Sequence, residues 1–108
     1  MTVYLDTSSA IKLYVAEQGS ELVRALVAAA DVVATSVVTY AEARAALARL
    51  RRDGALDAKQ HRSAKQEFEA QWPRFVKITA NDTLCRNAGE YAEQYALRGF
   101  DSVHHEAR

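Results

Sequence analysis

The chain opens on "TVYL", residues 2 to 5, a β-branched and aromatic run that predicts a short buried strand. After Asp6 the pattern turns helical: Thr7 to about Glu17 places Ile11, Leu13, Tyr14 and Val15 as apolar contacts. Gly19 is the expected stop and Ser20 the expected cap of a second helix, in which Leu22, Val23, Leu26 and Val27 fall at helical spacing. "VVATSVV", residues 32 to 38, predicts a second strand. "TYAEARAALARLRRDG" predicts a helix with Tyr40, Ala43, Leu47 and Leu50 on one face, closed by Gly54. "ALDAKQHRSAKQEFEAQW" predicts another, with Asp57 near its start and Pro73 just past its end. "RFVKIT" is the third expected strand. Asn81 or Asp82 then opens a helix through Leu84, Ala88, Tyr91, Ala92 and Tyr95, ended by Gly99, and "FDSVHHEAR" predicts a last helix beginning at Asp101.

Strands alternating with helices define an α/β domain with a short parallel sheet and helices on both faces. Residues 1–108 form a single domain, since a chain of 108 residues supports one core and not two. The chain stops one or two turns into its last helix with no strand to follow, so the domain reads as incomplete at its C-terminus. Composition agrees with a folded chain: 49% of residues are apolar and 26% charged, with one Pro and four Gly. Fourteen basic residues balance fourteen acidic ones, so the summed charge neither points to nucleic acid nor excludes it. Cys85 is the only cysteine, which rules out an intrachain disulfide and favours a reducing compartment; in its helical pattern it reads as a small buried hydrophobe. No apolar stretch has the length of a membrane span, and no secretion signal is visible.

Three carboxylates stand out by position. Asp6 ends the first strand, at the edge where open α/β sheets bind ligands. Glu42 lies in the first turn of the helix after the second strand, and Asp101 opens the last helix. Each also has a local explanation: Asp6 and Asp101 are good helix N-caps, and Thr39 with Glu42 spells the T-x-x-E of a capping box. Taken together they converge on one sheet edge if the first two strands are neighbours. Carboxylates ~4 Å apart repel by about 1 kcal/mol in water and by several at lower effective dielectric. Such a cluster needs a proton or a cation among its members, and oxygen-only ligands select Mg²⁺ or Mn²⁺.

The stretches "VYLDTSSAIKLY", "ATSVVTYAEARAALARL" and "LRGFDSVHHEA" occur in the order of the three acid-bearing motifs of PIN-domain ribonucleases, and the chain resembles in particular the VapC toxins of bacterial toxin–antitoxin pairs. The resemblance covers the whole chain. It implies a PIN-like fold and a metal-dependent endoribonuclease that hydrolyses RNA phosphodiester bonds and is neutralised by a cognate VapB-type antitoxin, in a bacterial or archaeal cytoplasm. It carries the catalytic, metal-holding role onto Asp6, Glu42 and Asp101, with Mg²⁺ or Mn²⁺ as cofactor. Thr7 and Ser8 are then supporting hydrogen-bonders of the first acid, or simply local caps. His104, three residues after Asp101 and so on one side of the expected helix, is a supporting hydrogen-bonder, while His61 and His105 face solvent. Family members also suggest a homodimer, with the helix from residue 82 to 97 as its interface. The departure is at the end, where the family's final strand and fourth acid are missing. The alternative reading is therefore a catalytically impaired PIN-like module that binds antitoxin or RNA.

Substrate contact is less specific. Arg44, Arg49, Arg51 and Arg52 lie on or near one helix, and Lys12 near the site; they are candidate phosphate contacts or an ordinary solvated face. The apolar residues Ile11, Leu13, Tyr14 and Val15, together with the helices around residues 37 to 70, are candidates for an antitoxin groove or for core packing. No phosphate-cradling G-x-x-x-x-G-K-[ST] or G-x-G-x-x-G is present.

Overall fold

The first strand hands the chain directly to a helix, and the rest of the domain is built around that junction. The computed structural model describes residues 1–79 and the backbone of 103–105. The elements are β1 (Thr2–Leu5), α1 (Thr7–Lys12), α2 (Ser20–Ala29), β2 (Val32–Ser36), α3 (Thr39–Arg52), α4 (Ala58–Gln71), a 3₁₀ turn (Trp72–Arg74), β3 (Val76–Ile78) and β4 (Val103–His105). They form a four-stranded sheet of order β3-β2-β1-β4. β1, β2 and β3 run parallel, and β4 pairs antiparallel to β1, with Tyr4 opposite His104. This is an α/β fold with a parallel three-strand centre, as the alternation of patterns predicts.

The expected last helix is a correction. Val103–His105 is strand, because the second edge of β1 offers a ladder of backbone partners that an isolated helix end cannot match. The argument that Asp101 and His104 share a helix face therefore fails. Asp101, Cys85, Tyr91, Tyr95, Glu106 and the helix expected from 82 to 97 lie outside the described residues.

Among the described residues, two apolar clusters hold the elements together. Val3 and Leu5 point from β1 to one sheet face, where Val23, Leu26 and Val27 of α2 and Leu13 cover them with Val33. The second cluster is built from helices and the turns between them: Ile11 of α1 and Val15 after it pack with Ala43 and Leu47 of α3, Leu56 in the turn before α4, and Ala64 and Phe68 of α4. Phe68 is fully buried among aromatic rings, edge-on to Tyr14 at 5.5 Å and stacked on Tyr40 at 5.7 Å, with Trp72 at 5.6 Å. Each such pair adds about 0.5–1.5 kcal/mol beyond area burial. Burial pushes the pKa of the Tyr14 phenol up, and the Glu67 carboxylate adds to this; the hydroxyl stays protonated and donates to Gln71 Oε1 at 2.8 Å.

Helix ends depart from the local patterns for tertiary reasons. α1 stops at Lys12 and not near Glu17, because Leu13 and Tyr14 tighten into i→i+3 turns and the Val15 carbonyl accepts from the Ser20 hydroxyl at 2.9 Å. Ser20 is thus the first residue of α2 and not its cap. Gly19 takes the N-cap position with φ 90°, a left-handed conformation that suits glycine. β2 ends at Ser36, two residues early, where Ser36 Oγ accepts from the Val38 amide. α4 follows its pattern closely: Asp57 and Gln60 exchange both bonds of a capping box.

The N-terminal ammonium of Met1 pairs with Asp31, and the Asp31 amide donates to the Met1 carbonyl at 2.8 Å, fastening β1 to the turn before β2. The hydrogen bond that the carboxylate accepts from the Met1 ammonium, and then the ammonium charge, hold the Asp31 carboxyl below its usual range. A depressed carboxyl contributes stability above its ordinary value of about 4 and loses it as pH falls through the lower folded value. Asp31→Asn should therefore be less stable than the wild type near neutral pH, and the difference should vanish under acid conditions in urea unfolding at stepped pH. Phe68→Ala should cost about 3–5 kcal/mol by the same method, from lost transfer energy and the cavity it leaves.

Candidate functional site

Parallel pairing sets the site. Leu5 lies beside Thr35 in register, so β1 and β2 end at the same sheet edge and the chain leaves both strands there. Asp6 follows β1 in extended conformation (φ −80°, ψ 177°) and caps α1: its Oδ1 accepts from the Ser9 amide at 2.9 Å. The short turn after β2 delivers α3, with Glu42 in its first turn. An open cleft of about 490 Å³ forms between them, lined by Tyr4, Asp6, Thr7, Ser8, Ser36 and Glu42, among others.

The capping box spelled by Thr39 and Glu42 is not made. α3 has Val38 in helical conformation at its N-cap position, with no side-chain bond to the first turn. Thr39 turns inward and is buried beside Thr35, their hydroxyl oxygens 2.9 Å apart. Glu42 points into the cleft side, where its Oε1 accepts from the Thr7 hydroxyl at 2.6 Å. Thr7 therefore supports the second acid, whereas the bond to the first comes from the Ser9 backbone. Ser8 lines the same cleft.

The donors that meet here are two carboxylates and hydroxyls, a hard, oxygen-only set. Mg²⁺ is commonly held by one or two carboxylates completed by waters and substrate phosphates, and this set suits it or Mn²⁺. Among the described residues no group of three or more His, Cys, Asp or Glu comes together. The third expected acid, Asp101, lies outside them.

The cation candidates divide. Lys12 lies 3.6 Å from Glu17, and its stem packs against Gly19. Arg44 donates to Glu69 Oε1 at 3.0 Å and to the Tyr40 hydroxyl at 2.9 Å, while Tyr40 also donates to Glu69. Arg44 thus clamps α3 to α4. Arg49 and Arg52 are exposed, and Arg49 sits two turns along α3 from Glu42, on nearly the same face. Of the four residues considered for an antitoxin groove, Ile11, Tyr14 and Val15 pack into the helical cluster and Leu13 against the sheet cluster, so core packing accounts for them. His61 is half-buried near the start of α4. The sequence reading takes Thr39 only as a capping residue and does not single out Thr35, an ordinary strand threonine; only the contact between them marks the pair.

With this geometry in hand, comparison with known proteins identifies the class. Residues 3–106 match the PIN domain family, and the chain belongs to it. Over 102 residues it is 36% identical to Ribonuclease VapC45 of Mycobacterium tuberculosis (strain CDC 1551 / Oshkosh) and, equally, to Ribonuclease VapC49 of Mycobacterium tuberculosis (strain ATCC 25618 / H37Rv). These alignments cover 94% of this chain and 71% of each relative.

The Arg44–Glu69 assignment is checked by a double-mutant cycle. Arg44→Ala and Glu69→Ala should couple by about 0.2–1 kcal/mol in urea unfolding, the range of an exposed pair.

Proposed function

We propose that this chain is a VapC-type endoribonuclease whose Asp6 and Glu42, with Asp101, hold Mg²⁺ or Mn²⁺ at the carboxyl edge of the sheet. The observation that supports it best is the meeting of Asp6 and Glu42 on one cleft, with the Thr7 hydroxyl bonded to Glu42. When bound, the ion supplies Lewis-acid activation of the scissile phosphodiester. The chain's own residues do the positioning. Asp6 is held by the Ser9 amide with its backbone fixed as a helix cap, and Glu42 is oriented by Thr7, so neither carboxylate has to reorganise when substrate arrives. Arg49 and Arg52 are the cations offered to flanking phosphates, since Lys12 and Arg44 are engaged elsewhere in the fold.

Membership of a toxin–antitoxin pair supplies the remaining partners: a cognate VapB-type antitoxin, an RNA substrate and a second copy of the chain in a homodimer, in the cytoplasm. No helix among the described residues is long and apolar enough to cross a membrane.

Calorimetric titration of Mn²⁺ into the chain, beside an RNA cleavage assay, tests the reading. Asp6→Asn and Glu42→Gln should each weaken Mn²⁺ binding and lower cleavage by about a hundredfold or more, at unchanged circular dichroism. Metal binding that survives Asp6→Asn would sink the assignment. Metal binding without cleavage in the wild type would favour the impaired binding module.

A further inference from the structure

We infer that Thr35 is a positioning residue that sets the relative placement of Asp6 and Glu42 through a buried chain of hydroxyls. Thr35 is fully buried at the end of β2, and its Oγ1 lies 2.7 Å from the Leu5 carbonyl and 2.9 Å from Thr39 Oγ1. Each hydroxyl has one proton, and a carbonyl can only accept. The Thr35 proton therefore goes to Leu5, and the Thr39 proton goes to Thr35. The chain Thr39→Thr35→Leu5 thereby joins the first residue of α3 to the last residue of β1.

Its two ends lie one residue before Asp6 and three before Glu42. Outside, on the cleft, Thr7 and Glu42 make a second link at 2.6 Å. The exposed link is open to competition from water, whereas the buried one is not and so fixes the backbone geometry. Thr39 is withdrawn from capping α3 to take part in it. The consequence for the site rests on the reading of Asp6 and Glu42 as metal-holding acids.

The test uses Thr35→Val, which keeps the shape and removes the hydroxyl, and Thr35→Ser, which keeps the hydroxyl. Mn²⁺ calorimetry should show about tenfold weaker binding for Thr35→Val, with Thr35→Ser within about twofold of the wild type, as expected for an outer-shell partner. Metal-free NMR gives a separate readout. In Thr35→Val the Ser9 amide, bonded to Asp6, and the Glu42 amide should shift and exchange faster with solvent; in Thr35→Ser they should not. Unaltered Ser9 and Glu42 amides in a folded Thr35→Val would overturn the inference, as would unaltered Mn²⁺ affinity beside a wild type that binds. A wild type that binds no Mn²⁺ would defeat the metal reading, while the two amides would still decide whether Thr35 positions the acids. Should Thr35→Val not fold, Thr39→Val cuts the same chain at its other end and carries the same readouts.

Discussion

The parallel pairing of β1 with β2 is the constraint on which the rest depends. Because Leu5 sits beside Thr35, the chain leaves both strands at one level and at one edge. A slip of one residue would turn Val3 and Leu5 from the apolar cluster toward the opposite face and would carry Asp6 away from the start of α3. Burial therefore enforces the register that the cleft requires. The same contacts that make Val3 and Leu5 inaccessible align two carboxylates which, on electrostatic grounds, would rather be apart.

The two apolar clusters divide the work. The sheet cluster sets the register of the strands. The helical cluster, with Phe68 at its centre, sets how α3 and α4 stand together, and the Arg44–Tyr40–Glu69 group fastens the same pair from outside. α1 and the turn that follows it touch both clusters, through Leu13 on one side and Ile11 and Val15 on the other. The helix is only six residues long, too short to be stable by propensity, so it exists because Asp6 caps it and both cores grip it and its turn.

What the sequence made legible follows from distance along the chain. The strand–Asp–helix junction is local, so Asp6 and the elements around it could be read directly; so could α4, whose cap and stop signals lie at its ends. The helical pattern after the second strand likewise placed Glu42 in the first turn of α3. The misreadings come from partners that lie outside the periodic pattern of the element concerned. α1 ends early because Ser20 reaches back to Val15, and Arg44 is spent on Glu69, twenty-five positions later, which no helical wheel reveals. The strand at Val103–His105 depends on the edge of β1, a hundred residues before it, and a short polar segment gives no period from which to infer such pairing.

The most informative failure of local reasoning is at the start of α3. Thr39 and Glu42 have the residues of a capping box, and forgoing a good N-cap costs about 0.5–2 kcal/mol. α4 shows that this chain makes such a box where nothing else competes: Asp57 and Gln60 complete theirs. In α3 both members are drawn away in opposite directions, Thr39 inward to Thr35 and Glu42 outward to Thr7. A broken local rule is compensated here by two tertiary bonds, and both lead to the same cleft. Departures of this kind concentrate at functional sites, where the geometry demanded by chemistry outweighs the geometry preferred by the helix. Asp6 shows the opposite case, in which the cap is made and the carboxylate still lines the cleft. Capping and lining the cleft thus go together for the first acid, whereas the second lines the cleft with its capping box unmade and Thr39 bonded to Thr35 behind it.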